Sequence, residues 1–184
     1  MPASPQLVAE YQDRIRQTLQ ELGIPAEYAT NRRQAFHPEG TDLVSIGLDQ
    51  AGREQRMERT AAARWQAMRD AAGQAKIPLD IVSAFRSFDY QKLIIARKLA
   101  AGQTIDQILR VSLLPGFSEH HTGRAIDINT PGCPLLTEAF EQTEAYHWVN
   151  QHADEFGFRL SYPRGNPHGV SFEPWHWIYH HQPV

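Results

Sequence analysis

The chain has 184 residues, a formal net charge of −3 and one cysteine. That length suits one domain, 1–184, able to bury roughly two-thirds of its unfolded surface. The slight, dispersed acidity offers no basic stripe to track phosphates and excludes nucleic acid as a partner, while a lone Cys133, in a Gly-Cys-Pro turn, excludes a disulfide framework and a CxxC zinc site.

Ser4 and Pro5 read as a helix cap and first-turn proline. Leu7, Tyr11, Ile15, Leu19 and Leu22 then recur every three or four residues until Gly23 and Pro25, so the N-terminal helix (1–24) packs on the core. After a weaker stretch containing Arg32, Arg33 and the polar turn from His37 to Asp42, the run LVSIGL, Leu43 to Leu48, predicts a short strand. His37 reads as a surface loop residue and the two arginines as solvated. Glu54 to Ala72 predicts a second helix, with Met57, Ala61, Trp65, Met68 and Ala72 on one stripe. Ile77 to Phe85 predicts a buried strand that delivers Arg86 at its carboxyl end, and Asp89 to Ala101 a third helix carrying Gln91 in its first turn. A shorter helix is expected over Thr104 to Val111.

The chemistry concentrates in FSEHHTGRAIDIN, Phe117 to Asn129, and FEPWHWIY, Phe172 to Tyr179. His120 and Asp127 are ligand-type side chains, with Gly123 between them to turn the backbone and an apolar strand, Ala125 to Ile128, around the aspartate. A carboxylate inside an apolar strand is costly to bury unless it is paired or coordinates a cation. His176 adds a second imidazole, and zinc held by three such groups keeps its fourth position for a water whose pKa falls to about 7. Glu173 is the carboxylate placed to move that water's proton. In a regular strand Glu173 and His176 would point to opposite faces, so the chain must bend at Pro174 for the two to meet. His121 is the rival for the place of His120.

Past this motif, Leu136 to Phe156 predicts a helix with Phe140, Tyr146, Trp148 and Val149 inward. Phe158 to Pro163 and Val170 to Trp177 predict a hairpin joined by the turn-rich Arg164 to Gly169. His147 and His152 read as ordinary helical residues, His168 as a loop residue, and His180 and His181 as an exposed tail. The fold class is α+β: a small antiparallel sheet carrying the metal site, with helices packed on one side.

Ser118-x-His120-x-x-Gly123-x-Ala125-x-Asp127 followed by Glu173-x-Trp175-His176 resembles the paired signature of the zinc D-alanyl-D-alanine carboxypeptidases and dipeptidases of the VanY and VanX type. SAFRSFDYQ, Ser83 to Gln91, is similar to that family's third motif, with Phe85 and Phe88 where tyrosines are usual. The resemblance covers about Ile81 to Tyr179. It implies one zinc per chain on His120, Asp127 and His176, in preference to His121, with Glu173 as general base and acid. It further implies that Arg86 stabilises the oxyanion, that Ser118 and Gln91 lie near bound substrate, and that the substrate is a peptidoglycan stem peptide losing its terminal D-alanine.

With the same residues the cut could instead be that of an L,D-carboxypeptidase, a free D-Ala-D-Ala dipeptidase or a cell-wall endopeptidase. Outside enzymes, the alternative is a zinc-containing binding module of the hedgehog type, against which Glu173 and Arg86 both argue. No run of eighteen apolar residues and no basic segment leading an apolar core is present, so the chain as written reads as soluble and without an export signal. A removed signal, a cytoplasmic dipeptidase-like role and release by another route are the three explanations that leaves.

Overall fold

The computed structural model describes residues 5–30 and 35–180; the cap at Ser4, the Arg32–Arg33 pair and His181 lie outside them. Helix α1 (Pro5–Glu21) buries Tyr11, Ile15 and Leu19, as the spacing predicts, and is followed by a single turn, α2 (Glu27–Thr30). Strand β1 (Leu43–Leu48) forms where expected.

The helix reading of Glu54 to Ala72 is corrected over its first five residues. Glu54–Glu58 is strand β2, antiparallel to β1, and helix α3 (Arg59–Gln74) begins only afterwards. Gln55 and Met57 alternate inward between more exposed neighbours, the two-residue period of a half-buried strand. Met57 also falls four residues before Ala61, so it satisfies the helical spacing as well. Glu58 makes the boundary: its carboxylate accepts the Ala61 amide at 3.0 Å and caps α3.

A second sheet has the order β3-β4-β6-β5, antiparallel throughout, from β3 (Asp80–Ser83), β4 (Ala125–Asn129), β5 (Phe158–Leu160) and β6 (His176–Tyr179). Among the described residues there are thus two small antiparallel sheets, the four-stranded one being the sheet expected to carry Asp127 and His176. Strand β4 lies between β3 and β6 and is buried at all five positions. Ile126 and Ile128 join Ile81, Trp177 and Tyr179 in a core closed by Trp65 and Met68 of α3. The intervening Asp127 therefore points to the opposite face. The register shifts between Ile81 and Ser83, which shortens the strand predicted over Ile77 to Phe85 and sets Ser83 opposite Asp127.

Helix α4 (Phe88–Ala100) is capped by Ser87, and α5 (Ile105–Leu109) by a capping box between Thr104 and Gln107. With α1 they form a second cluster around Ile15, Leu19, Phe88, Ile95 and Ile108, so the helices divide between two cores. The long helix expected over Leu136 to Phe156 is broken. Helix α6 spans only Glu144–His152, flanked by 3-10 turns at Glu138–Gln142 and Ala153–Phe156. Thr143 interrupts it with extended backbone, φ −90° and ψ 152°, its hydroxyl accepting the Tyr146 amide as a cap. Phe140 and Val149 are buried all the same. The hairpin forms, but its returning strand begins at His176 rather than Val170, because Pro174 and Trp175 turn.

Candidate metal centre

Asp127 in β4 stands directly across from His176 in β6 and from Ser83 in β3, so the three side chains share the face turned from the core. His120 arrives on a 3-10 turn, Glu119–Thr122, that ends at Gly123 with φ 71°. A Cβ on Gly123 would stand 2.5 Å from Leu43 Cδ2 and 2.9 Å from the Glu58 amide nitrogen. Only glycine lets this loop close onto β1 and β2. The ligand atoms of His120, Asp127 and His176 all lie within 4.8 Å of one another, and all three residues are buried. The bend required at Pro174 is present: the His176 amide donates to the Glu173 carbonyl at 3.1 Å, bringing Glu173 Oε2 to 3.9 Å from His176 Nδ1.

The electrostatics suit a cation. His120 Nδ1–H donates to the Ala84 carbonyl at 2.6 Å, which turns the Nε2 lone pair toward Asp127 Oδ2, 3.2 Å away. Burial, aided by Arg86, holds the His120 pKa at about 4, so the ring is neutral and its buried Nε2 has no hydrogen-bond partner. Two lone pairs facing each other in a buried site repel unless a cation lies between them. Imidazole and carboxylate donors are those a divalent metal of the zinc type accepts, so the residues present fit such an ion. Burial works against charge on Asp127, yet the hydrogen bond from His176 and the Arg86 guanidinium hold its pKa well below the ordinary range.

His176 is fixed from both sides, Nδ1 at 2.9 Å from Asp127 Oδ1 and Nε2 at 2.9 Å from Glu119 Oε2. Burial opposes its charge, but those two hydrogen bonds outweigh it and raise the pKa to about 10. Glu119 is correspondingly held at about 2, its own burial overcome by His176. Glu119 thus commits Nε2 as a donor and leaves Nδ1 for the metal side, the support that a metal-bound imidazole takes from an outer carboxylate. Sequence reasoning missed Glu119. The only signal was a carboxylate next to a ligand histidine, and which way it points depends on the 3-10 turn.

Arg86 follows β3. Its Nη2 donates to Asp127 Oδ2 at 3.1 Å, its Nη1 to Gln91 Oε1 at 3.3 Å, and its amide to the His120 carbonyl at 3.2 Å. Gln91, expected near bound substrate, is the arginine's neighbour in the fold. It is fully buried, with its amide donated to the Leu113 carbonyl at 2.7 Å. His121 does not face the metal cluster: Nδ1 donates to the Arg86 carbonyl at 2.6 Å while Nε2 accepts the Gly116 amide. Burial holds it neutral, with a pKa of about 4.

Ser118 lines a small cavity of about 30 Å³ together with Arg86, His120, Tyr162, Glu173 and His176. Tyr162, whose ring centroid lies 4.9 Å from that of His176, carried no signal in the sequence. Burial leads the causes that raise the Glu173 pKa to about 7, a carboxyl poised to take and return a proton near neutrality. Beyond Arg86 and Glu173 opens a cleft of about 400 Å³, walled by Arg53, Tyr90, Lys98 and Trp175. Two surface assignments are corrected: His37 is half-buried, and His180, placed with the exposed tail, has a buried Nε2.

A family model described as VanY, D-alanyl-D-alanine carboxypeptidase, matches residues 54–182. A D-alanyl-D-alanine carboxypeptidase of Enterococcus faecalis is 30% identical over 144 residues, 73% of this chain and 52% of that protein. The chain spans about half the length of the curated relatives it matches. Among solved structures, the LdcB LD-carboxypeptidase superposes with a TM-score of 0.68 at 32% identity, over 77% of this chain and 69% of its own. A vancomycin-resistance D,D-pentapeptidase, VanY of a VanB-type cassette in complex with Zn(II), gives 0.61 at 30% identity over 80% and 84%. No described helix is long and apolar enough to cross a membrane.

Proposed function

This chain belongs to the VanY D-alanyl-D-alanine carboxypeptidase family, and from that premise we propose that it is a zinc-dependent carboxypeptidase removing the terminal D-alanine of peptidoglycan-type stem peptides. The observation that carries the reading is the clustering of His120, Asp127 and His176, two of which share a cavity with Glu173 and Arg86. Zinc held by the first three supplies a Lewis acid and lowers the pKa of the attacking water.

The chain's own residues do the rest. Glu173, raised to about 7 by burial, takes the water's proton and returns it to the leaving amine. Arg86 faces the same cavity with a rigid, permanently charged fork, and its buried Nε has no partner, so donors remain for the carbonyl oxygen as it gains charge. Gln91 and the His120 carbonyl hold that arginine in place. Ser118, 4% exposed at the cavity wall, is the proposed polar contact to bound peptide. A structural zinc needs neither Glu173 nor Arg86, which argues against the hedgehog-type alternative.

The test is release of D-alanine from a muramyl-type pentapeptide by purified protein, with a chelator and with zinc restored. Zinc-dependent release of one D-alanine is expected, and its absence in protein holding one zinc per chain would refute the proposal. An L,D cut is the second reading, favoured by the likeness to LdcB. Products from tripeptide, tetrapeptide and pentapeptide stems separate the two.

A further inference from the structure

The larger cleft holds an ammonium that no carboxylate among the described residues pairs with. Three cations, Arg53, Arg86 and Lys98, and two carboxylates, Asp127 and Glu173, face it. Arg53 is paired with Asp49 at 2.7 Å and Arg86 with Asp127 at 3.1 Å. Lys98 makes no ion pair among the described residues; its Nζ donates to Ser112 Oγ at 2.6 Å. A half-buried ammonium with one neutral partner is unfavourable: burial and the nearby Arg86 weigh against its charge, and Glu173, with which it forms no ion pair, offsets them only in part. Ser112 is 9% exposed and faces both the cleft and the small cavity that holds Glu173 and His176. Since its oxygen accepts from Lys98, its own hydroxyl proton remains to be donated, and the ammonium keeps two more. The pair thus presents N–H and O–H donors, with net positive charge, on the wall next to the reacting centre.

We propose that Lys98 and Ser112 form a carboxylate subsite that anchors an anionic group of the peptide beside the scissile bond, an inference resting on the peptidase reading above. The carboxylate belongs either to the peptide's C-terminus or to an acidic residue within it. A C-terminal anchor would make the enzyme an exopeptidase by charge recognition.

The test uses zinc-loaded wild type, Lys98→Met and Lys98→Arg with three stem pentapeptides: one with free carboxylates, one amidated at the C-terminus and one amidated at its internal acidic residue. Binding is measured by calorimetry beside kcat/KM. Lys98→Met keeps the side chain's length, and its fold is checked by circular dichroism. It is expected to bind the free peptide about 10- to 100-fold more weakly, with Lys98→Arg restoring most of the loss. Amidation at one of the two positions should abolish the difference between wild type and Lys98→Met, and that position names the carboxylate. Equal binding of the free peptide by both proteins, a loss that persists with both amides, or no binding by wild type would overturn the subsite. A wild type that binds with the expected preference but cleaves none of the peptides retains the subsite and refutes the hydrolytic reading instead.

Discussion

Replacing Glu173 with Gln should make the metal-free protein more stable while ending its activity. The Glu173 side chain is 10% exposed and its pKa is raised to about 7, burial being the largest cause. In the unfolded chain the group titrates near 4.5, the ordinary value for a glutamate. Between those values the folded protein holds a proton that the unfolded chain has released, so stability falls as pH rises from 4.5 to 7 and is level outside that window. Keeping the charge buried therefore costs the native state about 3 kcal/mol at pH 8. Glu173→Gln removes the charge and keeps the volume. Urea unfolding in a chelator should show the variant more stable than wild type by about 3 kcal/mol at pH 8, with the gap closing toward pH 4.5. A variant no more stable than wild type at pH 8 would show that the site does not hold this carboxyl against its charge, and the argument for its role as a proton carrier near neutrality would go with it.

Glu119→Ala strips His176 Nε2 of its partner and should weaken zinc binding about 10- to 100-fold, read by competition against a chelator; unchanged affinity would leave Glu119 without a positioning role. Arg86→Met should retain one zinc per chain while kcat falls about 10²- to 10³-fold, so full activity would remove it from the mechanism. Gly123→Ala, strained at φ 71° and meeting Leu43 and the Glu58 backbone, should cost about 3 kcal/mol or more in a urea titration.

The clustering of His120, Asp127 and His176 was legible because each is marked locally: a carboxylate in an apolar strand, a histidine before a turn glycine, a histidine after Glu-Pro-Trp. Even the bend at Pro174 followed from alternation, since Glu173 and His176 had to share a site. Less legible were boundaries set by one side chain serving the backbone. Glu58 and Thr143 cap helices, and each split what apolar spacing alone ran together. Supporting residues were hidden for a different reason. Glu119, Tyr162 and Lys98 act across 57, 14 and 14 residues of sequence, toward His176 in the first two cases and Ser112 in the third. Nothing in their own neighbourhoods announces the partner. Gln91 shows the converse: its motif was visible, yet only the fold revealed that it is buried and braces Arg86.

Asp127 and His176, 49 residues apart in sequence, are register partners in the two middle strands of the sheet, and the loop bearing His120 closes over both. A bound ion therefore fastens the strands whose pairing makes the core. When free metal exceeds the dissociation constant a thousandfold, such binding adds about 4 kcal/mol to the folded state, a large share of the total for a domain of this size. Starvation for zinc should then shorten the protein's lifetime as well as silence it, because chains that open more often are removed by proteases. Cellular abundance would follow the metal supply at constant synthesis, and the amount of protein would itself become a record of how much zinc had been at hand.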